Sequence, residues 1–348
     1  MLSVRSGKIL NSIIRQYITK AAPVPSQVIA EDAGLKVSPA TVRNEMAKLE
    51  HEGYLVRPHT SAGCIPSDKG YRYYVESIKD MALPNDEQRL ISHTFHQVEK
   101  EVETWISLTA SLLARLVQNV AVVSLPKSTD CKLKHVEIIG LQDSRALAVV
   151  VLYGAKVKQK IVTFKEHISQ EILATICNKL NAAYYGLTGQ QILDKKREMS
   201  ELEKQAVDFL VEIMQAEDSQ DNEEPYLEGW HFILNQPEFA QSDHMRALME
   251  LVEHRGLLKV IVPTKFTKKG VHVIIGSENK EEAIQNCSVV ICQYGLPEEA
   301  TGTIGVVGPT RMPYSRTIPT VYYLSSVLSG LIASLYGKDE TSQNRKPN

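Results

Sequence analysis

One stretch of the chain, residues 25–74, reads PSQVIAEDAGLKVSPATVRNEMAKLEHEGYLVRPHTSAGCIPSDKGYRYY. A short segment with helical patterning leads to Gly34, and glycine favours the left-handed conformation that ends a helix. Ser38 and Pro39 then mark a second helix, because serine is a preferred N-cap and proline costs no hydrogen bond at the first helical position. The stretch therefore predicts a helix, a tight turn and a capped helix over residues 38–52.

Two short strand-like segments follow the capped helix. Residues 54–57 and 64–65 favour strands, the loop over residues 58–63 is polar, and Ser67 is placed to cap a further helix. Two helices followed by such a hairpin predict a winged helix-turn-helix. In that fold the second helix enters the DNA major groove, and the wing contacts the phosphate backbone or the minor groove.

The capped helix has two different faces. The apolar residues Val42, Met46 and Leu49 recur at helical spacing and predict the buried face. The other side carries small, amide and cationic residues, namely Ala40, Thr41, Arg43, Asn44, Ala47, Lys48 and His51. Such a face lets the backbone approach base edges, where asparagine pairs with adenine, arginine with guanine and a methyl group with thymine. A solvated helix face is the alternative, and the preceding helix and turn favour DNA.

These patterns give a set of expected DNA-binding residues. Ser38 caps the helix, Thr41, Arg43 and Asn44 are expected to read bases, and Ala40 is expected to meet a thymine methyl group. Contacts to the phosphate backbone are expected from Lys48, Arg57, His59, Thr60 and Ser61.

Charge is uneven along the chain. Residues 1–80 hold eleven Lys/Arg against eight Asp/Glu, a net +3, and the remainder holds 28 against 33, a net −5. A mildly basic N-terminal region on an acidic body suits a specific DNA reader better than a nonspecific one, because affinity for phosphates scales with local cations.

The cysteines exclude two kinds of site. The chain has five, and no pair has C-x-x-C spacing, so neither a disulfide framework nor a zinc site is expected. Reduced thiols fit a cytoplasmic protein. Charged residues interrupt any signal-peptide core, and no run of about 18 apolar residues predicts a membrane span.

No enzyme or cofactor motif appears in the sequence. H-E-x-x-H, G-x-S-x-G and P-loop patterns are missing, and the glycines at 302, 305 and 308 fit strand ends and turns. Arg311 and Arg316 can serve either an anionic effector or an interface. We therefore expect no enzyme, no cofactor and no metal.

The remaining patterns predict alternating blocks of helix and strand. Helices are expected over residues 6–19, 86–120 (one helix or two), 168–181, 187–216, 227–258 and 315–336, and strands over residues 135–140, 146–153, 156–164, 271–275, 288–293 and 303–307. A solvated acidic tract is expected over residues 217–224 and a polar tail over residues 338–348.

Several motifs together resemble the HrcA family of heat-inducible transcription repressors. The run EGYLVRPHTSAGCIPSDKGYRYYV over residues 52–75 is the most specific, and QPEF (236–239), IGSEN (275–279) and GVVGPTRMPY (305–314) also fit. The family usually has arginine where this chain has Cys64, and more often glycine where it has Pro25. Without that arginine, the resemblance implies a wing that holds DNA less strongly or depends on Arg57.

The resemblance implies an α+β, multidomain fold. Residues 1–80 would form the winged helix-turn-helix and 81–125 a helical linker. Residues 126–165 and 226–337 would form a GAF-like α/β domain, interrupted by an inserted, largely helical dimerisation domain at 166–225. It further implies a homodimeric repressor of chaperonin genes that binds the inverted-repeat CIRCE operator and is supported by the chaperonin GroEL.

Two other readings stay open. A GAF-like body can bind a metabolite, which would make the chain a metabolite-sensing transcriptional regulator. A winged helix can also serve as a protein-interaction module with no DNA partner.

Overall fold

The computed structural model of the chain divides into two compact units, each described by itself. The first consists of Met1–Leu125, Glu224–Tyr294 and Gly302–Leu331, and the second of Pro126–Glu223, Gly295–Thr301 and Ile332–Asn348. The structure describes residues 2–32, 37–59, 63–78, 82–99, 101–128, 131–142, 144–153, 157–166, 168–195, 198–219, 224–239, 246, 249–250, 261, 270–297 and 300–336.

The first unit begins with a small helical region, residues 2–78, which we call the head. Its elements are α1 (Val4–Lys20), α2 (Ser26–Ala30), α3 (Pro39–His51), β1 (Leu55–Val56), β2 (Ile65–Pro66) and α4 (Asp68–Ser77). The antiparallel strands β1 and β2 form the predicted hairpin. Burial of the apolar face of α1 against α3 supplies the core, which includes Ile9, Leu10, Ile13, Ile14, Val42 and Leu49.

Side-chain caps begin α3 and α4 where the sequence predicts, whereas Ser26, which the sequence also favours as a cap, is the first residue of α2, and that helix has no side-chain cap. Ser38 accepts a hydrogen bond from the backbone N–H of Thr41 at 3.2 Å, and Pro39 is the first residue of α3. Ser67 caps α4 in the same way, accepting from the N–H of Gly70 at 3.2 Å. Each cap satisfies an N–H that the helix leaves without a partner, so it fixes the helix start.

The linker is two helices and not one. They are α5 (Asn85–His96) and α6 (Val102–Val117), and α6 ends at Gln118, which adopts φ +54°. The expected helix over residues 86–120 extends too far, because Val120–Val123 form β3, a strand whose four residues are all buried.

A sheet whose strands differ in length forms the core of the first unit outside the head, which we call the body. Its strands, in the order β8-β3-β11-β10-β9, include β8 (Tyr226–Glu228), β9 (Val271–Ile275), β10 (Cys287–Leu296) and β11 (Ala300–Pro309). The short β4 (Lys127–Ser128) pairs with β11. Helix α10 (Trp230–Leu234) and 3₁₀ turns at Pro237–Phe239 and Gly276–Glu278 complete the described body, together with the last helix.

That last helix is α11 (Tyr314–Leu335). Among the described residues it is the one helix long and apolar enough to cross a membrane, judged by length and composition alone. Half of its most apolar window is buried, including Val321, Leu324 and Leu328, as in the core helix of a globular body.

The second unit is a three-stranded sheet covered on one face by helices. Strands β5 (Leu133–Gly140), β6 (Arg145–Leu152) and β7 (Val157–Thr163) are antiparallel neighbours. The covering helices α7 (Gln170–Tyr184), α8 (Gly189–Asp194) and α9 (Glu201–Ser219) bury one face, where Val136, Ile138, Ala148 and Val150 meet Ile176, Leu180, Val207 and Leu210.

The structure corrects the expected sheet. A GAF-like domain that joins residues 126–165 with residues 226–337 implies one shared sheet. Of the described strands in residues 126–165, however, only β4 pairs with the larger sheet, and β5, β6 and β7 pair with one another. Alternation shows which face of a strand is buried and says nothing about its partner strands.

Two helix predictions also change. The helix expected over residues 187–216 is the pair α8 and α9. Residues 227 and 228, expected to begin the helix over residues 227–258, lie in strand β8. Gly34 and the first two residues of the expected turn at 35–37, most of residues 240–269, the middle of the acidic tract and the tail 338–348 lie outside the described residues.

All five cysteines are buried, and none forms a disulfide: Cys64, Cys131, Cys177, Cys287 and Cys292. Burial raises the pKa of the Cys287 thiol to about 12. Neutral thiols of this kind behave as small apolar side chains.

Candidate nucleic-acid interface

Helix α3 presents the face that its sequence predicts. Val42, Met46 and Leu49 are buried, with at most 3% of their surface exposed. On the outside, exposed side chains recur at three- and four-residue spacing, namely Ala40, Arg43, Asn44, Ala47 and Lys48. Small residues therefore alternate with polar ones along one strip of the helix.

The central polar side chains of this strip are free to meet a ligand. Within the described part of the chain, no hydrogen bond or ion pair engages the side chains of Arg43 and Asn44, while Thr41 shares its hydroxyl with Ser38 at 2.9 Å. Lys48 lies 3.9 Å from Glu52, and both are partly exposed, so this pair is weak.

The base of the wing is tied to α3 by an ion pair. Arg57 donates from Nη2 and Nε to the Glu50 carboxylate at 3.1 and 3.3 Å, and from Nη2 to the Sγ of Cys64 at 3.7 Å. The hydrogen bond to Glu50 raises the pKa of Arg57, so the guanidinium keeps its charge. Arg57 is half-buried and already has an anionic partner.

Cys64 lies inside the head. Its side chain has no exposed surface, and its backbone exchanges hydrogen bonds with Val24 at 2.9 and 3.1 Å. Burial raises the pKa of its thiol, which is therefore neutral at physiological pH. In this chain, position 64 closes the base of the wing and presents no charge to solvent.

The other residues predicted for the wing are His59, Thr60 and Ser61. His59 is exposed, and Thr60 and Ser61 lie outside the described residues. The structure thus brings Ala40, Arg43, Asn44 and Lys48 together on α3 and places Arg57 at the base of the wing beside that helix.

Arg311 and Arg316 are engaged within the first unit. Arg311 donates to Glu238, to Gln236 and to the carbonyl oxygen of Ile18, the last at 3.3 Å. Arg316 donates to the carbonyl oxygen of Leu116 at 2.7 Å and to Glu87 at 3.1 Å. Both guanidinium groups therefore have acceptors within the chain.

The sequence patterns did not predict one further group of contacts. Asp68 and Arg72 of α4 contact Ser277 and Glu278 of the body. The motif IGSEN signalled that residues 275–279 matter, but no periodicity could indicate a partner some 200 residues away in the chain.

A helix, a capped second helix and a two-stranded wing place the head in the winged helix-turn-helix class. Residues 103–318 match the family described as HrcA protein C terminal domain. The chain belongs to the HrcA family of heat-inducible transcription repressors.

Similarity to individual relatives extends over nearly the full chain. The heat-inducible transcription repressor HrcA of Dehalococcoides mccartyi is 50% identical over 338 residues, 97% of this chain and 98% of the relative. That of Roseiflexus castenholzii is 39% identical over 345 residues, 97% and 96% of the two chains. A crystal structure of a hypothetical protein aligns with TM-score 0.60 and 26% identity, covering 96% of this chain and 98% of that one.

Proposed function

We propose that the chain is a homodimeric, sequence-specific DNA-binding repressor that acts on heat-shock chaperonin genes in the cytoplasm. The observation that carries the proposal is the outer strip of α3, where Arg43 and Asn44 are exposed among small residues and have no side-chain partner in the described part of the chain. Membership in a family of heat-inducible transcription repressors agrees with it.

The strip has the chemistry needed to read base edges. Arg43 can donate two hydrogen bonds to guanine, and Asn44 can both donate to and accept from adenine. The methyl groups of Ala40 and Ala47 leave room for the helix backbone to enter the groove and can meet thymine. Lys48 and Arg57 would add phosphate contacts, which position the helix without reading sequence.

A second copy of the chain would supply a second recognition helix. Twofold symmetry matches an inverted repeat, since each copy presents one recognition helix to one half-site. For the operator we propose the inverted repeat CIRCE, on the strength of the family resemblance.

The uncovered face of the sheet in the second unit supports self-association. Cross-strand neighbours form apolar rows on this face, with Ile139, Leu147 and Ile161 in one row and Val151 beside Val157 in another. Ile161 is 62% exposed, Val157 53% and Ile139 43% in the single chain. Exposed apolar rows of this kind are typical of interaction surfaces, and we assign this one to a second copy.

Repression would depend on the chaperonin GroEL, as the resemblance implies. Heat would divert the chaperonin to unfolded clients, the supply of active repressor would fall, and chaperonin genes would be transcribed.

Fluorescence anisotropy with a labelled CIRCE duplex tests the proposal. We expect a dissociation constant of about 10⁻⁸ M or tighter at physiological salt, and binding at least about 10³-fold weaker to a duplex with both half-sites scrambled. Adding chaperonin should raise the fraction of protein that is active for binding. Equal affinity for both duplexes, with a folded dimer present, would instead support the protein-interaction reading.

A further inference from the structure

Helix α4 joins the head to the body through a small polar cluster. The cluster, which we call the junction, consists of Asp68 and Arg72 on α4 and Gly276, Ser277 and Glu278 in the 3₁₀ turn after β9. Ser277 donates to Oδ2 of Asp68 from its N–H at 2.9 Å and from its hydroxyl at 2.7 Å. One carboxylate of the head is thereby fixed to two donors of the body.

Arg72 makes the second half of the junction. Its Nε donates to Oε1 of Glu278 at 2.9 Å, and its Nη2 donates to the carbonyl oxygen of Val273 at 2.7 Å and to Oε2 of Glu278. Glu278 is itself positioned, because its Oε2 accepts from the N–H of Ile275 at 2.9 Å. A guanidinium held by a carboxylate and a carbonyl has a defined direction, which a single ion pair does not give.

The backbone at Gly276 is shaped for this contact. Gly276 has φ +51°, and a Cβ atom there would lie 2.3 Å from Oδ1 of Asp68. Only glycine permits both the left-handed backbone and the close approach of the carboxylate. The turn is therefore complementary to Asp68 and not merely adjacent to it.

An aromatic contact flanks the polar cluster. The rings of Tyr71 on α4 and Tyr314 at the start of α11 lie 5.9 Å apart between centroids at 52°, and both residues are buried. The Arg72 and Glu278 side chains are 31% and 38% exposed. Partly exposed ion pairs are weak one at a time, so the junction combines specific geometry with modest strength.

We propose that the junction sets the orientation of the head on the body and so determines the half-site spacing that the dimer reads. The inference rests on the proposed function, because it concerns how two heads reach one inverted repeat. If each head is fixed to its body, no movement between head and body can change the distance and angle between the two recognition helices of the dimer. Asp68, Arg72, Ser277 and Glu278 are then positioning residues that need not touch DNA.

The test uses a body variant, Ser277→Ala/Glu278→Gln, whose changes lie outside the head. Glu201→Gln is the matched control, since Glu201 pairs with Lys165 in an exposed ion pair of the second unit and the charge change is the same. Affinities are measured for a single half-site and for inverted repeats at natural spacing and with inserts of five and ten base pairs. About five base pairs turn one half-site to the opposite side of the duplex.

We expect the wild type and Glu201→Gln to bind the operator with the five-base-pair insert about 50-fold more weakly than the operator with natural spacing. For the junction variant, the same comparison should give a loss of about five-fold or less. Half-site affinity should stay within about two-fold for all three proteins, since none changes the surface of α3. A junction variant with the wild-type spacing profile would overturn the inference. So would a loss of half-site binding equal to its loss of full-site binding.

Hydrogen exchange separates this inference from the proposed function. In the full-length protein without DNA, the junction variant should exchange faster than wild type in peptides covering residues 68–77 and 271–279, with far-UV circular dichroism unchanged. If exchange is unchanged in both peptides, the junction does not hold the head on the body, and this conclusion does not depend on the result of the DNA-binding experiment. If the wild type shows no preference for an inverted repeat, the proposed function fails. In that case the hydrogen-exchange result alone shows whether the junction holds the head on the body.

Discussion

Arg57 at the base of the wing donates two hydrogen bonds to the carboxylate of Glu50 on α3, at 3.1 and 3.3 Å. The pair joins the wing to α3. It also places a negative charge beside the arginine for which we propose a phosphate contact, so Glu50 both holds the Arg57 guanidinium and partly neutralises its charge.

Removing that carboxylate should strengthen DNA binding. In Glu50→Gln the Arg57 guanidinium loses its anionic partner, and we expect affinity to rise several-fold, with a salt slope steeper by about one. The measurement is an anisotropy titration at several salt concentrations. Glu76→Gln, an exposed carboxylate of α4, controls for net charge, and an equal salt slope in both variants would show that Arg57 makes no phosphate contact.

Arg43 should carry base specificity. Arg43→Ala removes a bidentate donor and should cost about 1–3 kcal/mol of operator binding, with relaxed preference at one base pair. Arg15→Ala, an exposed arginine of α1, removes the same charge elsewhere on the head. A competition titration with single-base operator variants measures both. Unchanged preference in Arg43→Ala would remove this residue from the readers.

The two tyrosines that flank the junction, Tyr71 and Tyr314, should respond differently to loss of the hydroxyl group. Tyr314 donates to the carbonyl oxygen of Thr310 at 2.7 Å and accepts from Ser288 at 2.6 Å, so Tyr314→Phe should cost about 1–3 kcal/mol of unfolding free energy. The buried hydroxyl of Tyr71 has no partner among the described residues, and Tyr71→Phe should stay within about 0.5 kcal/mol of wild type. Urea unfolding compares them, and equal losses would contradict the difference in hydrogen bonding.

A charge on the uncovered sheet face should prevent self-association. Ile161→Lys places an ammonium group among apolar neighbours of the proposed dimer surface, whereas Ile172→Lys makes the same change on α7, where Ile172 is 47% exposed. We expect sedimentation equilibrium to give a dimer for Ile172→Lys and a monomer for Ile161→Lys, because a buried unpaired charge is costly. Dimers in both variants would place the twofold interface elsewhere.

Local chemistry in the sequence was enough to predict the head. A helix cap depends only on residues within about three positions of it in the chain. The structure has the caps at Ser38 and Ser67, and the first helical residue at Pro39, where the sequence predicts them. The buried and exposed faces of α3 follow from helical periodicity alone. Cys64 differs, because its burial depends on pairing with Val24, 40 residues earlier in the chain.

The body was predicted less well, because its sheet depends on pairing between strands that are far apart in the sequence. The helix expected over residues 86–120 ends at Val120, yet Val120–Val123 form a fully buried strand whose partners are Tyr226–Glu228 and residues 304–307. Three valines in four residues directly after Asn119 are the local signal for such a strand. Which strands it joins is a matter of chain topology that periodicity does not encode.

The burial of all five cysteines has a practical consequence for measuring the proposed dimer. Burial raises the pKa of Cys177 to about 11 and that of Cys287 to about 12, and thiols of this kind react poorly with maleimides at neutral pH. A cysteine introduced at the exposed His51, at the end of α3, would then be the preferred site for a spin label in the otherwise native chain. One label per copy would make the separation of the two recognition helices a directly measurable distance, with and without operator.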